Sequence, residues 1–199
     1  MAVELEELLV RDAVEWRAWL QQHHADSPGV WLVLHKKNGS VTELDYEAAL
    51  QEALCFGWID GQGRRRDDES SFQRMTRRGP KSAWSARNVE RIGRLEAEGR
   101  MTPSGRAAVD AAKADGRWEA AYSGAATAEL PEDLAAAIAA EPRAQAMFDV
   151  LTSVNRYALI YRTNAVKQAS TRERKIAGFV AMLARHETPY PQVKRPLDA

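Results

Sequence analysis

The chain has 199 residues, 45% of them hydrophobic and 28% charged, and its formal net charge is +0. This length suits one ordinary domain, or one domain with a small helical appendage, and the balanced charge argues against a general binder of nucleic acid or of anionic membranes. A single cysteine, an acidic start without a signal-peptide core and the lack of an apolar run of roughly 18 residues lead us to expect a cytoplasmic protein without membrane insertion.

The first three elements are predicted to be a helix, a strand and a second helix. Residues 10–22 carry apolar side chains at helical spacing, with Asp12 as the N-cap. The apolar, partly β-branched run Val30–His35 predicts a buried strand. Asp45 then opens a helix that runs to about residue 56 and stops at Gly57.

A β-hairpin and two capped helices are predicted next. Residues 64–66 and 71–75 form the strands of the hairpin. Either Ser82 or Ser85 caps a helix that runs to about residue 98. Thr102, which is followed by proline, caps another helix.

The C-terminal part of the chain is predicted to be helical. Pro131 begins a short helix, Pro142 begins a longer one through about residue 161, and Thr171 begins the last, to about residue 185. The predicted fold class is therefore α+β, mainly helical, with a small antiparallel β-sheet in the N-terminal half. The predicted domains are an α+β domain (residues 1–124), a helical C-terminal subdomain (125–187) and a disordered, proline-containing tail (188–199).

The first block that can carry chemistry is Cys-Phe-Gly-Trp-Ile-Asp-Gly at residues 55–61. It places a thiol, a carboxylate and two aromatic rings where a helix gives way to a strand. Burial of Cys55 and Trp58 in the core, with Asp60 paired to an arginine of the next strand, is one interpretation. The alternative is an enzyme that uses Cys55 as nucleophile with His35 or Asp60 assisting, because a reactive thiol needs a base.

The second block spans residues 73–88 and leads directly into a helix N-terminus. Free backbone N–H groups and the helix dipole favour an anion at that position, and arginine adds paired hydrogen bonds. The competing interpretation is an ordinary capped helix whose arginines are solvated.

These blocks carry a family resemblance. Residues 55–61, Gln73-Arg74 and the run Lys-Ser-Ala-Trp-Ser-Ala-Arg-Asn at 81–88 resemble the signature of the YdeI/OmpD-associated, or bacteriocin-protection, family. The resemblance extends to residues 29–32, 98–105, 116–118, 165–167 and 171–172, and so covers nearly the whole chain. The chain departs from the family pattern at Thr76-Arg77-Arg78, where the family has threonine, proline and arginine.

The resemblance implies a bacterial protein linked to resistance to cationic peptides and to outer-membrane porin expression. The resemblance does not supply an enzymatic activity or a cofactor. The residues themselves show no metal-ligand spacing and no glycine-rich phosphate loop, so neither a metal nor a cofactor is expected.

The leading hypothesis is a ligand-binding or regulatory protein, rather than an enzyme, that recognises an anionic small molecule where the sheet meets a helix. In this hypothesis arginines hold the anion, tryptophans stack on it, Ser85 and Asn88 donate hydrogen bonds, and Asp60 orients an arginine. A third hypothesis is nucleic-acid binding through the region from Arg64 to Arg94, against which the zero net charge weighs. The predicted lining consists of Lys36, Trp58, Asp60, Arg74, Arg78, Trp84, Ser85 and Asn88.

Overall fold

The computed structural model describes residues 4–124 and 127–196, which form eight helices and a four-stranded sheet. The mainly helical α+β class, with its sheet in the N-terminal half, is confirmed. The chain divides into two compact units, Met1–Ala121 and Tyr122–Ala199. The predicted domain boundaries stay predictions, and residue 125, together with residues 197–199 of the predicted tail, lies outside the described residues.

The N-terminal unit begins with β1 (Glu7–Leu8), α1 (Ala13–His23), β2 (Val30–His35) and α2 (Tyr46–Cys55). It continues with β3 (Trp58–Arg65), β4 (Ser70–Arg77), α3 (Ala86–Ala97) and α4 (Pro103–Ala114).

Side-chain caps fix the start of every helix in this unit. Asp12, Asp45, Ser85 and Thr102 each accept a hydrogen bond from the backbone N–H three residues further on. The predicted caps are therefore confirmed, and Ser85 rather than Ser82 caps α3.

The sheet has the strand order β1-β2-β4-β3. The hairpin of β3 and β4 and the pairing of β2 with β4 are antiparallel, whereas β1 runs parallel to β2, so the sheet is mixed rather than purely antiparallel. The hairpin also extends further than predicted, because Trp58 already pairs with Arg77. A β-bulge between Asp60 and Gly63 shifts the register.

One face of the sheet packs against helices. Val30, Leu32 and Leu34 alternate along β2 and lie in the same buried cluster as Trp16 of α1 and Leu50 of α2. The alternate residues of β2, Trp31, Val33 and His35, belong to the other face of the sheet and lie outside this cluster.

The C-terminal unit is formed by α5 (Glu132–Ala139), α6 (Pro142–Asp149), α7 (Ser153–Asn164) and α8 (Ala169–Ala184). Its core includes Leu134, Met147 and Leu159. The prediction of one helix from Pro142 to about residue 161 is wrong, because Thr152 caps a new helix by accepting the Asn155 N–H at 3.4 Å.

Two further details of this unit differ from the predictions. Helix α8 begins at Ala169, so Thr171 lies inside it rather than at its start. In the described part of the tail, the Tyr190 N–H donates to Asn155 Oδ1 at 2.8 Å, and Asn155 Nδ2 donates back to the Tyr190 carbonyl at 3.1 Å. The longest described helix is α8 with 16 residues, and none of the described helices combines the length and apolar character needed to cross a bilayer.

Candidate functional site

The connection from β4 to α3 brings a guanidinium onto an indole. Arg78 follows β4 directly, and its backbone N–H donates to the Gly57 carbonyl at 3.0 Å. Its guanidinium carbon lies 3.6 Å from the centre of the Trp84 ring, and Nη1 donates to the Ala83 carbonyl at 2.9 Å. This geometry is that of a cation–π contact, which holds the guanidinium in a fixed orientation.

A second tryptophan and a second cation extend this arrangement. Trp118 meets Trp84 edge to face with ring centres 4.9 Å apart, and Lys113 Nζ lies 5.3 Å from the Trp118 ring. We call Arg78, Trp84, Trp118 and Lys113 the arginine–tryptophan stack. Two cations of the stack are thus positioned by aromatic rings, which leave the positive charge in place.

The indole N–H of Trp84 is unusual in its surroundings. Trp84 is only 2% exposed, and Nε1 has no hydrogen-bond partner among the described residues. A buried donor without an acceptor is costly, and such groups in folded proteins are nearly always paired with protein, water or a bound molecule.

Helix α3 starts immediately after Trp84. Ser85 Oγ accepts the Asn88 N–H at 3.2 Å, and the first turn of α3 contains no acidic residue. Between Glu69 and Glu90 the sequence has five cations and no carboxylate side chain. The positive end of the helix dipole therefore lies in a locally cationic segment.

Asn88 connects this segment to a polar cluster around Arg91. Arg91 donates to both carboxylate oxygens of Glu47, at 2.8 and 2.5 Å, and to Asn88 Oδ1 at 3.1 Å. Nearby, the Tyr46 hydroxyl donates to Asp60 Oδ2 at 2.8 Å. Asp60 was predicted to orient an arginine. Instead, its carboxylate accepts a hydrogen bond from a tyrosine.

Two pKa values in this cluster are shifted. Burial, and then the hydrogen bond to Asp60, raise the pKa of Tyr46 well above its ordinary value. The hydrogen bonds from Arg91 lower the pKa of Glu47 to about 2.

The lowered pKa of Glu47 predicts a pH-dependent stability. A carboxylate with a depressed pKa stabilises the fold above its ordinary pKa of 4.5, and this stability is lost as the pH falls towards about 2. The Glu47 side chain is 43% exposed, so solvent screening limits the effect to about 1 kcal/mol or less. Urea unfolding at pH 6 and pH 3 measures the free energy of unfolding at each pH. We expect this free energy to fall less between pH 6 and pH 3 in Glu47→Gln than in the unsubstituted chain. An equal loss in the two proteins would contradict this prediction.

Three predicted lining residues lie away from the β4–α3 connection. Lys36 Nζ donates to the Asp67 carbonyl beside the β3–β4 turn, at the end of the sheet opposite to Arg78. The six-residue strand β2 separates the two ends by about 20 Å. Arg74 alternates with the core residue Met75, so it belongs to the other face of the sheet.

Trp58 is the third of these residues. It is fully buried, its Nε1 donates to the His24 carbonyl at 3.0 Å, and its ring meets Trp16 edge to face. Trp58 is therefore a core residue, and its indole donor is already used within the protein.

The geometry of Cys55 favours a structural role. The thiol is fully buried at the end of α2, and burial, followed by the neighbouring Glu52 charge, raises its pKa. A nucleophilic cysteine requires the opposite, an accessible thiol with a lowered pKa. His35, the base predicted to assist Cys55, lies at the end of β2, where it pairs with Ser70 of β4.

Several arginines of the Arg64–Arg94 region form ion pairs within the protein. Arg64 pairs with Glu7 at 3.8 Å, Arg66 pairs with Asp67 at 2.7 Å, and Arg91 pairs with Glu47. These contacts leave less free positive charge for nucleic-acid phosphates than the sequence suggests. Among the described residues, no group of three or more His, Cys, Asp or Glu side chains is arranged to hold a metal ion.

Sequence reasoning missed Trp118, Lys113, Tyr46 and Arg91. Each reaches the site through tertiary packing, and no local pattern indicates the contact. The Gly-Arg-Trp run at residues 116–118 was the one available signal, since it belongs to the segments that carry the family resemblance.

The fold and the site together define a two-unit α+β protein whose N-terminal unit carries a cationic, tryptophan-lined helix start. Residues 8–108, just over half of the chain, match the family described as a domain of unknown function (DUF8412), and the chain therefore belongs to that family. Residues 127–186 match the family described as Bacteriocin-protection, YdeI or OmpD-Associated, which confirms the family suspected from the sequence. Comparisons with curated proteins and with solved structures found no match.

Proposed function

We propose that the chain is a ligand-binding protein that recognises an anionic small molecule at the start of α3. The observation that carries the proposal is the Arg78 guanidinium held 3.6 Å over the Trp84 ring, directly before the N-cap Ser85. Ser85 is the N-cap of α3 and Asn88 lies in its first turn, whereas Lys36, Arg74 and Trp58 are not part of the proposed site.

Three features support an anion as the ligand. The guanidinium presents a planar set of donors that matches a carboxylate or a phosphate. The N–H groups of Ala86 and Arg87 lie in the first turn of α3, where the helix itself supplies no acceptors for them. The buried Trp84 N–H adds a donor that has no acceptor among the described residues.

Calorimetric titration of the full chain with sodium phosphate and with sodium citrate tests the proposal. We expect saturable binding of at least one of the two anions at constant ionic strength. Arg78→Gln removes a charged donor worth about 1.5–3 kcal/mol, so affinity is expected to fall about 10- to 100-fold. Arg78→Lys keeps the charge but loses the planar donor set, and an intermediate affinity is expected.

Arg64→Gln is the matched control, because Arg64 also lies over a tryptophan, at 4.0 Å from the Trp31 ring, but on β3. It is expected to leave the affinity unchanged. Binding that is lost in Arg64→Gln and retained in Arg78→Gln, or no binding of either anion, would contradict the proposed site.

We further propose that the protein acts in the cytoplasm and contributes to resistance to antimicrobial peptides or to envelope stress. The match of residues 127–186 to the bacteriocin-protection family supports the link to resistance. Deletion of the coding sequence is expected to lower the inhibitory concentration of a cationic peptide. Restoration of the inhibitory concentration by the unsubstituted chain but not by Arg78→Gln would link the resistance to the anion site. An inhibitory concentration that the deletion leaves unchanged would contradict the proposed role in resistance.

A further inference from the structure

The C-terminal unit carries an open groove between α5 and α8 with a volume of about 860 Å³. Its floor is apolar, formed by the buried Ile176 and the half-buried Val180. Its walls are largely alanine, and Ala140, Ala177 and Ala181 are exposed to solvent. An apolar surface of this kind is suited to cover the apolar face of a partner.

The dimensions of the groove match a helix. Its lining extends along α8 from Ala169 to Ala184, which is about 22 Å at 1.5 Å per residue. Ala177, Ala181 and Ala184 share one helical face, and small side chains let a neighbouring helix approach closely. An occupant of about four helical turns would follow the groove along its length.

The charges at the groove favour a cationic occupant. Asp133 and Arg172 form an ion pair at 2.5 Å and balance each other. Glu141 and Glu173 also line the groove, and neither forms an ion pair within the described part of the chain. Glu141 Oε1 accepts only the backbone N–H of Arg143, at 3.3 Å. The groove therefore has an apolar floor and an excess of negative charge.

The positions of these two carboxylates relative to α5 set the expected spacing of the partner's cations. Glu173 is adjacent to Arg172, which bonds Asp133 in the first turn of α5, whereas Glu141 lies just beyond the end of α5. The separation from Asp133 to Glu141 along α5 is about 12 Å, or about two helical turns.

We propose that this groove binds a basic amphipathic peptide helix. The apolar face of the peptide lies on Ile176, Val180 and the alanines, and two cations about seven positions apart face Glu141 and Glu173. The site is in the C-terminal unit and does not depend on the anion site at α3.

Fluorescence anisotropy of a labelled synthetic helix tests the proposal with the full chain. One peptide of about four turns has a leucine and alanine face and lysines about seven positions apart, and its control has glutamates in place of the lysines. We expect saturable binding of the lysine peptide and little binding of the glutamate peptide. The double variant Glu141→Gln, Glu173→Gln is expected to weaken the lysine peptide about 2- to 10-fold, since each exposed pair contributes little. Glu132→Gln, on α5 but outside the groove lining, is its control.

Blocking the groove provides a second test. Ala181→Trp fills the groove, whereas Ala139→Trp places the same side chain on an exposed position of α5 outside its lining. Circular dichroism checks that both variants are folded. Loss of peptide binding in Ala181→Trp alone supports the proposal. Equal binding in both variants, or equal binding of the two peptides, would overturn it. A dimer in sedimentation that Ala181→Trp dissociates would also overturn it, because that result assigns the groove to a second copy of the chain.

Discussion

Replacement of Gly105 by alanine is expected to destabilise the N-terminal unit by about 2–4 kcal/mol, because it forces atoms into a backbone contact. A Cβ at Gly105 would lie 2.2 Å from the Cys55 carbonyl oxygen and 2.7 Å from its carbon. The same carbonyl accepts hydrogen bonds from the Thr102 N–H at 3.1 Å and from Thr102 Oγ1 at 2.6 Å. Relief of the clash would therefore require α4 to move and to lose both bonds.

Gly93→Ala is the matched control for this effect. Gly93 lies inside α3, and nothing lies within 4 Å of the position of its Cβ. Alanine there should stabilise by about 0.5–1 kcal/mol through helix propensity alone. Urea unfolding measures both variants, and a shift of the same sign in the two would contradict the close packing of α4 on the end of α2.

Neutralisation of Glu52 is the other substitution with a large expected effect. The Glu52 carboxylate is only 9% exposed, and its two oxygens accept from Arg17 and Arg100, each at 2.6 Å. Removal of one partner from a buried pair typically costs about 3–5 kcal/mol, because the remaining charge stays desolvated. Since both arginines retain some solvent contact, we expect Glu52→Gln to cost about 2–4 kcal/mol.

Glu98→Gln provides the comparison, because Glu98 pairs with the same Arg100 at 2.9 Å but is 52% exposed. An exposed pair of this kind is worth about 1 kcal/mol or less. Thermal and urea unfolding of the two variants should therefore differ clearly. Equal destabilisation would show that burial of Glu52 does not set the strength of this network.

Local sequence signals predicted most of the helices in the fold. Asp12, Asp45, Ser85 and Thr102 cap their helices as expected, because a cap needs only a side chain and the next turn of backbone. The strand β1 was missed because two residues are too few for a pattern, and its position depends on pairing with β2.

The helices of the C-terminal unit show a different limit. Residues 142–161 have a continuous helical pattern, yet the helix is interrupted before Thr152. The threonine caps a new helix there, in competition with continuation of the first one. Sequence alone does not decide that competition, because the outcome depends on how the two helices pack.

For the predicted site residues, contacts between sequence neighbours follow local signals, whereas long-range placement does not. Arg78 contacts Trp84 within the β4–α3 connection, and Ser85 caps the helical turn that contains Asn88. Lys36 lies at the other end of the sheet because the antiparallel register of β2 and β4 places it beside Glu69. That register is fixed by the buried face of the sheet, which the site residues themselves do not reveal.

Amide and indole resonances give the most direct test of the anion site. In ¹H–¹⁵N spectra of the full chain, sodium phosphate is added against sodium chloride at equal ionic strength. We predict saturable shifts of the Trp84 indole N–H and of the Ala86 and Arg87 backbone N–H groups. The Trp16 indole N–H, which donates to the Ala49 carbonyl at 3.0 Å, should stay unchanged. A saturable shift of the Trp31 indole beside Arg64, with the Trp84 and α3 resonances unchanged, would contradict an anion site at the start of α3.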